Sequence, residues 1–231
     1  MKKVLKCIGI IILFLMVFLI IHTIRNMIIM KQISNKVGQY KNYTNYYIKT
    51  TSNQGNVVDF YRKDNQYIMK VLNTSPDGVR KLTNYFDGEK VNTYIETETE
   101  NGLNKVALLN SNGLPSAIEI KDLFYEIKGK ELVLMALLAN IKSVQYNGTE
   151  CYKITDFYGF HILSSANFEF YFEKETGLEI REQNGLIIDE NGKSIPMIVD
   201  YKYKFDVVTD DDLAEPDISE YKIQGKNAKE V

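Results

Sequence analysis

The sequence predicts a mainly β protein of the α+β class, preceded by one transmembrane helix. Short segments in which apolar and polar residues alternate recur between residues 43 and 208, and this period of two is typical of strands that bury one face. One long apolar stretch occupies the N-terminus, and a second apolar stretch, without the period of two, lies in the middle of the chain. We expect the sheet to be antiparallel, since buried parallel strands would be apolar on both faces.

The composition is that of a folded protein. Of the 231 residues, 45% are hydrophobic, 12% are aromatic and 25% are charged, which gives enough apolar surface to offset chain entropy. Residues 1–30 contain Lys2, Lys3, Lys6 and Arg25 and no acidic residue, so the other 24 basic and all 30 acidic residues give the rest of the chain a net charge of −6. A nucleic-acid-binding protein would carry the opposite charge, and we expect no nucleic-acid partner.

The N-terminal apolar stretch covers residues 4–23 and is interrupted only by Lys6 and His22. About 20 helical residues at 1.5 Å each span a bilayer core of roughly 30 Å, so we expect a transmembrane signal-anchor. Residues 22–27 lack the small side chains that signal peptidase needs, which favours retention of the helix over its cleavage. The lysines before the apolar stretch predict a cytoplasmic N-terminus and a cell-membrane protein whose bulk lies outside the cytoplasm.

These observations divide the chain into two parts. Residues 1–36 form the anchor and a helical linker, and residues 37–231 form an extracytoplasmic β-domain. Basic residues also follow the anchor, at Arg25, Lys31 and Lys36, so the charge bias is weak and the opposite orientation stays an alternative.

The clearest strand signals lie in the second half of the chain. Phe168, Phe170 and Phe172 alternate with polar residues and are followed by a Glu-Thr-Gly turn and a second alternating segment, which predicts a hairpin. A further strand from residue 196 to 208 places Tyr201 and Tyr203 on its apolar face. With the Asp-Asn and Asp-Gly turns near residues 64 and 87, the pattern predicts about eight to eleven strands. A sheet of that size must curl, and its apolar face must be covered.

The cover is predicted in the middle of the chain. Residues 116–143 lose the period of two, and residues 131–139 are apolar on nearly all sides, which indicates a helix buried on more than one side. This helix is either an ordinary core helix or the lining of a lipid cavity, and its sequence fits both.

The residues that usually carry catalysis are sparse. The two histidines, His22 and His161, are too few and too far apart for a zinc site of His/Cys type. His161 has Ser164 and Ser165 nearby but no Gly-x-Ser-x-Gly elbow. Cys151, in a strand-like stretch, is expected to be a small buried apolar residue, and the acidic residues between 206 and 217 are expected to form a solvated loop. We therefore predict no enzymatic activity and no cofactor or metal.

The order of several strand and turn motifs resembles a known superfamily. The motifs are Tyr-Phe-Asp-Gly at residues 85–88, Tyr-Asn-Gly-Thr-Glu-Cys-Tyr-Lys-Ile at 146–154, Phe-Tyr-Phe-Glu-Lys-Glu-Thr-Gly-Leu at 170–178, Asp-Tyr-Lys-Tyr at 200–203 and Glu-Pro-Asp-Ile-Ser-Glu-Tyr at 215–221. Their order, over roughly residues 37–223, resembles the LolA/LolB-like superfamily of lipoprotein carriers and outer-membrane lipoprotein receptors, and within it the Gram-positive germination lipoproteins. The resemblance implies a curved, unclosed antiparallel β-barrel with helices packed in its concave face, an apolar cavity, and a binding rather than a catalytic role.

The sequence therefore predicts a membrane-anchored extracytoplasmic binding protein that holds a lipid, an acyl chain or a lipoprotein. An alternative is a non-enzymatic scaffold that docks a cell-envelope, sporulation or germination protein through exposed strand edges or the tyrosine-rich segment near Tyr43. The cavity candidates are Leu132, Leu134, Met135, Leu138, Phe168, Phe170, Phe172, Tyr201 and Tyr203.

Overall fold

The computed structural model describes residues 2–75, 78–100, 102–111, 118–120, 124, 129–155, 168–189 and 192–224. These residues fall into two compact units. The helical unit consists of Met1–Lys41 and Ile120–Pro196, and the β-unit consists of Asn42–Glu119 and Met197–Val231. His161, Ser164 and Ser165 lie outside the described residues.

The described elements are two α-helices, one short 3-10 helix and twelve strands. The helices are α1 (Lys2–Val37), α2 (Lys130–Leu138) and the 3-10 helix Asp211–Leu213. The strands are β1 (Asn45–Ser52), β2 (Val57–Lys63), β3 (Gln66–Ser75), β4 (Gly78–Phe86), β5 (Val91–Thr99), β6 (Gly102–Ser111), β7 (Asn140–Tyr146), β8 (Thr149–Thr155), β9 (Glu169–Glu173), β10 (Glu179–Ile188), β11 (Ser194–Phe205) and β12 (Lys222–Gln224).

The strands form one unclosed sheet in the order β12-β6-β5-β4-β3-β2-β1-β11-β10-β9-β8-β7. Successive strands pair antiparallel within β1–β6 and within β7–β10, and β1 also pairs antiparallel with β11. The short strand β12 lies parallel to its neighbour β6. The predicted mainly β class, the unclosed antiparallel sheet and the leading apolar helix are therefore confirmed.

The core of the helical unit lies between its two helices and strands β7–β9. A row of paired positions, Ile141, Ile154 and Phe170, crosses these strands, and all three side chains are buried. Helix α1 contributes Ile29, Met30, Ile33 and Val37 to the same cluster, and α2 contributes Leu132, Met135 and Ala136. The last third of α1 is thus part of the hydrophobic core of this unit.

The predicted hairpin around the phenylalanines is present as β9 and β10. Its turn ends at Gly177, which has a φ of 75° and whose amide N–H donates to the Glu173 carbonyl oxygen at 2.8 Å. A Cβ atom at this position would lie 2.7 Å from the Ile33 carbonyl oxygen and 2.9 Å from Lys36 Cβ. Glycine is therefore required twice, for its left-handed backbone and for the close approach of α1.

The β-unit is a meander, β1 to β6, with β11 on its other side. One face carries an aromatic row in which neighbouring ring centroids lie 4.9–6.0 Å apart, formed by Tyr46, Phe60, Tyr67 and Phe86. Both predicted turns are present. Asp87 accepts hydrogen bonds from the amides of Glu89 and Lys90, and these bonds hold the pKa of its carboxyl below the usual value.

The C-terminal segment (residues 208–224) is attached to the opposite face of the meander. Val208 and Leu213 are buried together with Ile68, and the Thr209 amide and hydroxyl both donate to Asp212 at the 3-10 helix. Farther along, Tyr94 donates a hydrogen bond to Glu215, and Tyr221 donates one to Glu96. Asp212 and Glu215 of the acidic cluster therefore help to hold the C-terminal segment on the sheet. Most of the cluster is exposed to solvent, as predicted: Asp206, Asp210, Asp211, Glu215 and Asp217.

The predicted helical block is shorter than its sequence pattern suggested. Among the described residues 118–120, 124 and 129–143, only Lys130–Leu138 is helical, and strand β7 begins at Asn140. The backbone changes at Ala139, whose ψ of 137° is extended. In the first half of β7 a single buried residue, Ile141, stands between the exposed Asn140 and Lys142, which is too short an alternation to mark the strand in the sequence.

Candidate functional site

An apolar groove lies between α1 and α2 in the helical unit. Its volume is about 640 Å³, and its wall is formed by Met27 and Lys31 of α1 together with Gly129, Lys130, Leu132, Val133, Leu134 and Leu137. The two lysines are exposed, and every other lining side chain is apolar. Such a groove suits the hydrocarbon part of an amphiphile, with cationic groups available for an anionic head.

Polar residues of α1 bind the end of α2, and these contacts hold the two helices together beside the groove. Asn26 is completely buried, and its Nδ2 atom donates to the carbonyl oxygens of Ala136 at 2.9 Å and Ala139 at 2.7 Å. His22 Nε2 lies 3.1 Å from the same Ala139 oxygen. The last carbonyls of a helix have no partner within the helix, so α1 satisfies groups that α2 leaves open.

Arg25 extends this contact into the sheet. Its guanidinium donates to the carbonyl oxygen of Ile141 at 3.2 Å, one residue into β7. Eleven residues later on α1, the Lys36 ammonium donates to the carbonyl oxygen of Lys174 in the β9–β10 turn. Helix α1 is therefore fixed to the helical unit at both ends of its packed part.

Helix α2 is apolar on both sides but buried on only one. Leu132, Met135 and Ala136 face the core, whereas Val133, Leu134, Leu137 and Leu138 are 45%, 55%, 38% and 45% exposed. We call these four side chains the apolar face of α2. The helix starts after Gly129, which has a φ of 60° and no side chain to cap it.

The nine residues predicted to line a cavity have different surroundings. Leu132 and Leu134 line the groove. Met135, Phe170 and Phe172 are buried in the core cluster, Phe168 packs against it, and Leu138 is exposed. Tyr201 and Tyr203 belong to the β-unit, where both are partly buried and their ring centroids lie 6.3 Å apart.

Sequence reasoning missed the α1 side of the groove. Met27 and Lys31 are four residues apart, as are His22 and Asn26, so each pair lies on one face of the helix. A polar pair at this spacing inside an apolar helix is a signal of a packing partner, whereas residues 24–36 were expected to be only a linker. Lys130 could not be found in this way, because its relevance depends on which helix lies beside α2.

The described part of the chain offers two further kinds of candidate reactive group, a cysteine thiol and possible metal ligands. Cys151 is fully buried, and burial raises the pKa of its thiol, as expected for a small apolar core residue. Among the described residues, no three His, Cys, Asp or Glu side chains are grouped so as to hold a metal ion.

Comparisons with known proteins identify no family for the chain. No family model matches, and no curated protein matches. Similar solved structures include an uncharacterized conserved protein from Thermus thermophilus, with 12% identity and a TM-score of 0.40 over 85% of this chain and 98% of that one. The Pseudomonas aeruginosa MucA/MucB complex has 12% identity and a TM-score of 0.34 over 83% of this chain and 61% of the other.

A further structure of MucB in complex with MucA has 13% identity and a TM-score of 0.30 over 79% of this chain and 58% of that one. MucB has a LolA-like fold. At these TM-scores the likenesses assign neither a family nor a function, and the more specific resemblance to germination lipoproteins stays a prediction.

Proposed function

We propose that the chain is a membrane-anchored extracytoplasmic protein that binds a lipid, or the acyl chain of a lipoprotein, in the groove between α1 and α2. The observation that carries this proposal is the groove itself, with its apolar wall and its two exposed lysines. The proposed role is binding without catalysis.

Two physical effects support an amphiphile as the ligand. Each CH₂ group removed from water contributes about 0.8 kcal/mol, so an acyl chain lying along Leu134 and Leu137 would gain affinity from its length. Lys31 and Lys130 supply positive charge beside this apolar wall. A ligand with a phosphate or carboxylate head is therefore favoured over a neutral one.

Anchoring rests on α1. Among the described residues, α1 is the one helix long and apolar enough to cross a membrane, with a mean hydropathy of 2.9 in its most apolar window. Its side chains from residue 6 to 21 are all exposed. Such a surface is expected to be covered by lipid.

Native mass spectrometry of the full chain tests the groove. The protein is incubated in mild detergent with phosphatidylglycerol, and the lipid-bound fraction is measured. Leu134→Asn with Leu137→Asn should reduce this fraction at least tenfold, because polar amides would line the groove. Leu103→Asn is the matched control, since Leu103 is an exposed leucine of β6 in the β-unit, and it should leave binding unchanged. Equal binding by both variants would contradict the proposal.

The two lysines are tested by exchanging the lipid head. The variant Lys31→Gln with Lys130→Gln should lose its preference for phosphatidylglycerol over phosphatidylcholine while still binding both through the acyl chains. An unchanged preference would show that the lysines do not contact the head group.

A scaffold is the second candidate function. The observation that favours it is the end strand β7, in which Asn140, Lys142, Ser143 and Gln145 are exposed, since an end strand can accept an added strand. A pull-down from solubilised membranes with the full chain as bait separates the candidates. A stoichiometric protein partner and no bound lipid would favour the scaffold, and the reverse result would favour lipid binding.

A further inference from the structure

Helix α1 changes from fully exposed to partly buried at His22. From residue 6 to 21 every side chain of the helix is exposed, and from His22 onward the helix carries buried or partly buried residues on one side. The contacts of His22, Arg25 and Asn26 with residues 136–141 therefore mark the level at which the helical unit begins.

Helix α2 points its C-terminal end toward this level. Ala139 lies at His22 and Asn26, whereas the groove that Met27 and Lys31 line is formed on α2 mainly by its first half, at Lys130, Leu132, Val133 and Leu134. The two helices thus run in opposite directions, and Leu138 is closer to the apolar part of α1 than Leu134 is.

Within the described part of the chain, the apolar face of α2 is exposed. Val133, Leu134, Leu137 and Leu138 are exposed side by side on one helix, and Ile24 and Ile28 of α1 are also about half exposed. In water such a surface is unfavourable, but at the boundary of a bilayer it is favourable. The basic residues Arg25, Lys31 and Lys130 are all exposed beside this surface, and such residues favour contact with anionic lipid head groups.

The hydrogen bonds at the end of α2 fit the same location. A helix end that dips into a bilayer needs partners for its last carbonyls, because no water is available to them. Asn26 provides such a donor from α1 to both carbonyl oxygens, and His22 Nε2 lies 3.1 Å from the Ala139 oxygen.

We propose that the apolar face of α2 is a second membrane contact, which seats the helical unit against the bilayer that holds α1. The occupant of this face is the lipid of that bilayer, and the ligand proposed for the groove is one of these lipids, held along Leu134 and Leu137. The proposal rests on the anchoring part of the proposed function.

The chain contains no tryptophan, so single tryptophan substitutions report on one site each. Leu138→Trp and Leu134→Trp place the probe on the apolar face of α2. Gln145→Trp is the control in the same unit, because Gln145 is exposed and lies near the Lys36 end of α1. Gln145 pairs with Glu150, and the Glu150 carbonyl oxygen accepts a hydrogen bond from the Lys174 amide. The Lys174 carbonyl oxygen in turn accepts the bond from Lys36. This position lies about 16 Å farther along α1 than Arg25, from eleven helical residues at 1.5 Å each. Phe18→Trp reports on the anchor.

Each full-length variant is reconstituted into vesicles of phosphatidylglycerol and phosphatidylcholine, and fluorescence is compared with and without phospholipids brominated near the head-group end of their acyl chains. We expect quenching of Leu138→Trp to exceed that of Leu134→Trp, and both to exceed that of Gln145→Trp at least threefold. Circular dichroism checks that the variants are folded. If one of the two α2 variants does not fold, the other still reports on the apolar face of α2.

Three results would overturn the proposal. Quenching of both α2 probes no stronger than that of Gln145→Trp, with Phe18→Trp quenched, would show an anchored protein whose α2 stands in water. Blue-shifted but unquenched α2 probes would show that protein, such as a second copy, covers the face. An unquenched Phe18→Trp would show that the anchor itself is not in the bilayer, and the proposed function would fail with it.

Discussion

At the residue scale, Asn26 is a buried polar side chain whose hydrogen bonds join α1 to the end of α2. It is completely buried, and it satisfies two carbonyl oxygens of the α2 terminus at once. The change Asn26→Leu keeps the approximate volume and removes both donors. Since each unsatisfied buried carbonyl costs about 1–3 kcal/mol, we expect the free energy of unfolding to fall by about 2 kcal/mol or more, measured by denaturant titration in mild detergent.

Thr23→Val is the matched control on the same helix. The Thr23 hydroxyl donates to the Leu19 carbonyl oxygen at 2.8 Å, within α1 itself, and makes no described contact with α2. The free energy of unfolding should change by less than about 0.5 kcal/mol. A loss as large as that of Asn26→Leu would mean that any polar-to-apolar change on α1 has this effect.

Gly177 allows the cost of a close approach to be separated from the cost of a backbone conformation. Gly177 and Gly185 have φ values of 75° and 70°, but a Cβ atom at Gly185 would meet nothing within 4 Å. We expect Gly185→Ala to lower the free energy of unfolding by about 1 kcal/mol, from the left-handed backbone alone. Gly177→Ala should lose about 1–3 kcal/mol more, because α1 must shift. Equal losses, measured by thermal unfolding, would refute the tight contact with Ile33 and Lys36.

At the element scale, the C-terminal segment gives the β-unit a pH dependence. Burial, followed by the bond to Glu96, raises the pKa of Tyr221 from 10.0 to about 12. The neutral phenol is therefore favoured in the folded state. Its contribution to stability is fully present below pH 10 and is lost as the pH rises from about 10 through about 12.

A spectrophotometric titration of tyrosinate checks this assignment. The difference between wild type and Tyr221→Phe should be one tyrosine that titrates near pH 12. Glu96→Gln should move that component to lower pH, because it removes the carboxylate that favours the neutral phenol. A difference component that titrates near pH 10 in wild type would show that the segment is not held in this way.

The sequence predicted elements that are determined locally. The turns at Asp64 and Asp87 and the β9–β10 hairpin follow from the residues at the turn and from alternation on either side, so no distant contact is needed to predict them. The end of α2 could not be predicted, because the apolar stretch continues without a break to Ala139 and only Asn140, Ile141 and Lys142 alternate before Ser143. Pairing with β8 decides that residues 140–143 are extended.

The candidate site could be predicted only in part, for a related reason. Leu132 and Leu134 lie in an apolar segment that is visible in the sequence, but the groove also needs Met27 and Lys31, about 100 residues earlier. Which two helices become neighbours depends on hydrogen bonds such as Asn26 to Ala139. A single sequence gives no measure of such long-range pairing.

At the scale of the whole molecule, the side of the membrane on which the chain folds decides every proposed function. Lys2, Lys3 and Lys6 precede the apolar stretch and favour a cytoplasmic N-terminus. Protease added to intact, wall-stripped cells should therefore degrade the chain from Val37 onward and leave a small N-terminal fragment in the membrane. Immunoblots with tags at each end would detect both products.

Protection of the chain until lysis would place it in the cytoplasm and remove the extracytoplasmic proposal. Recovery of the rest of the chain in the medium, with a new N-terminus near residues 24–30, would show that the anchor is cleaved.

Because α1 is part of the core of the helical unit, proteolytic release of the chain from the membrane would inactivate the protein. Ile29, Met30, Ile33 and Val37 fill the interior of the helical unit, and Asn26 completes the end of α2. A protease that cut just outside the bilayer, after residue 30, would release a product without Asn26, Ile29 and Met30. That product would expose its core and enter degradation instead of acting as a diffusible form of the protein. A single cut of this kind would therefore remove the protein from the cell instead of releasing an active form.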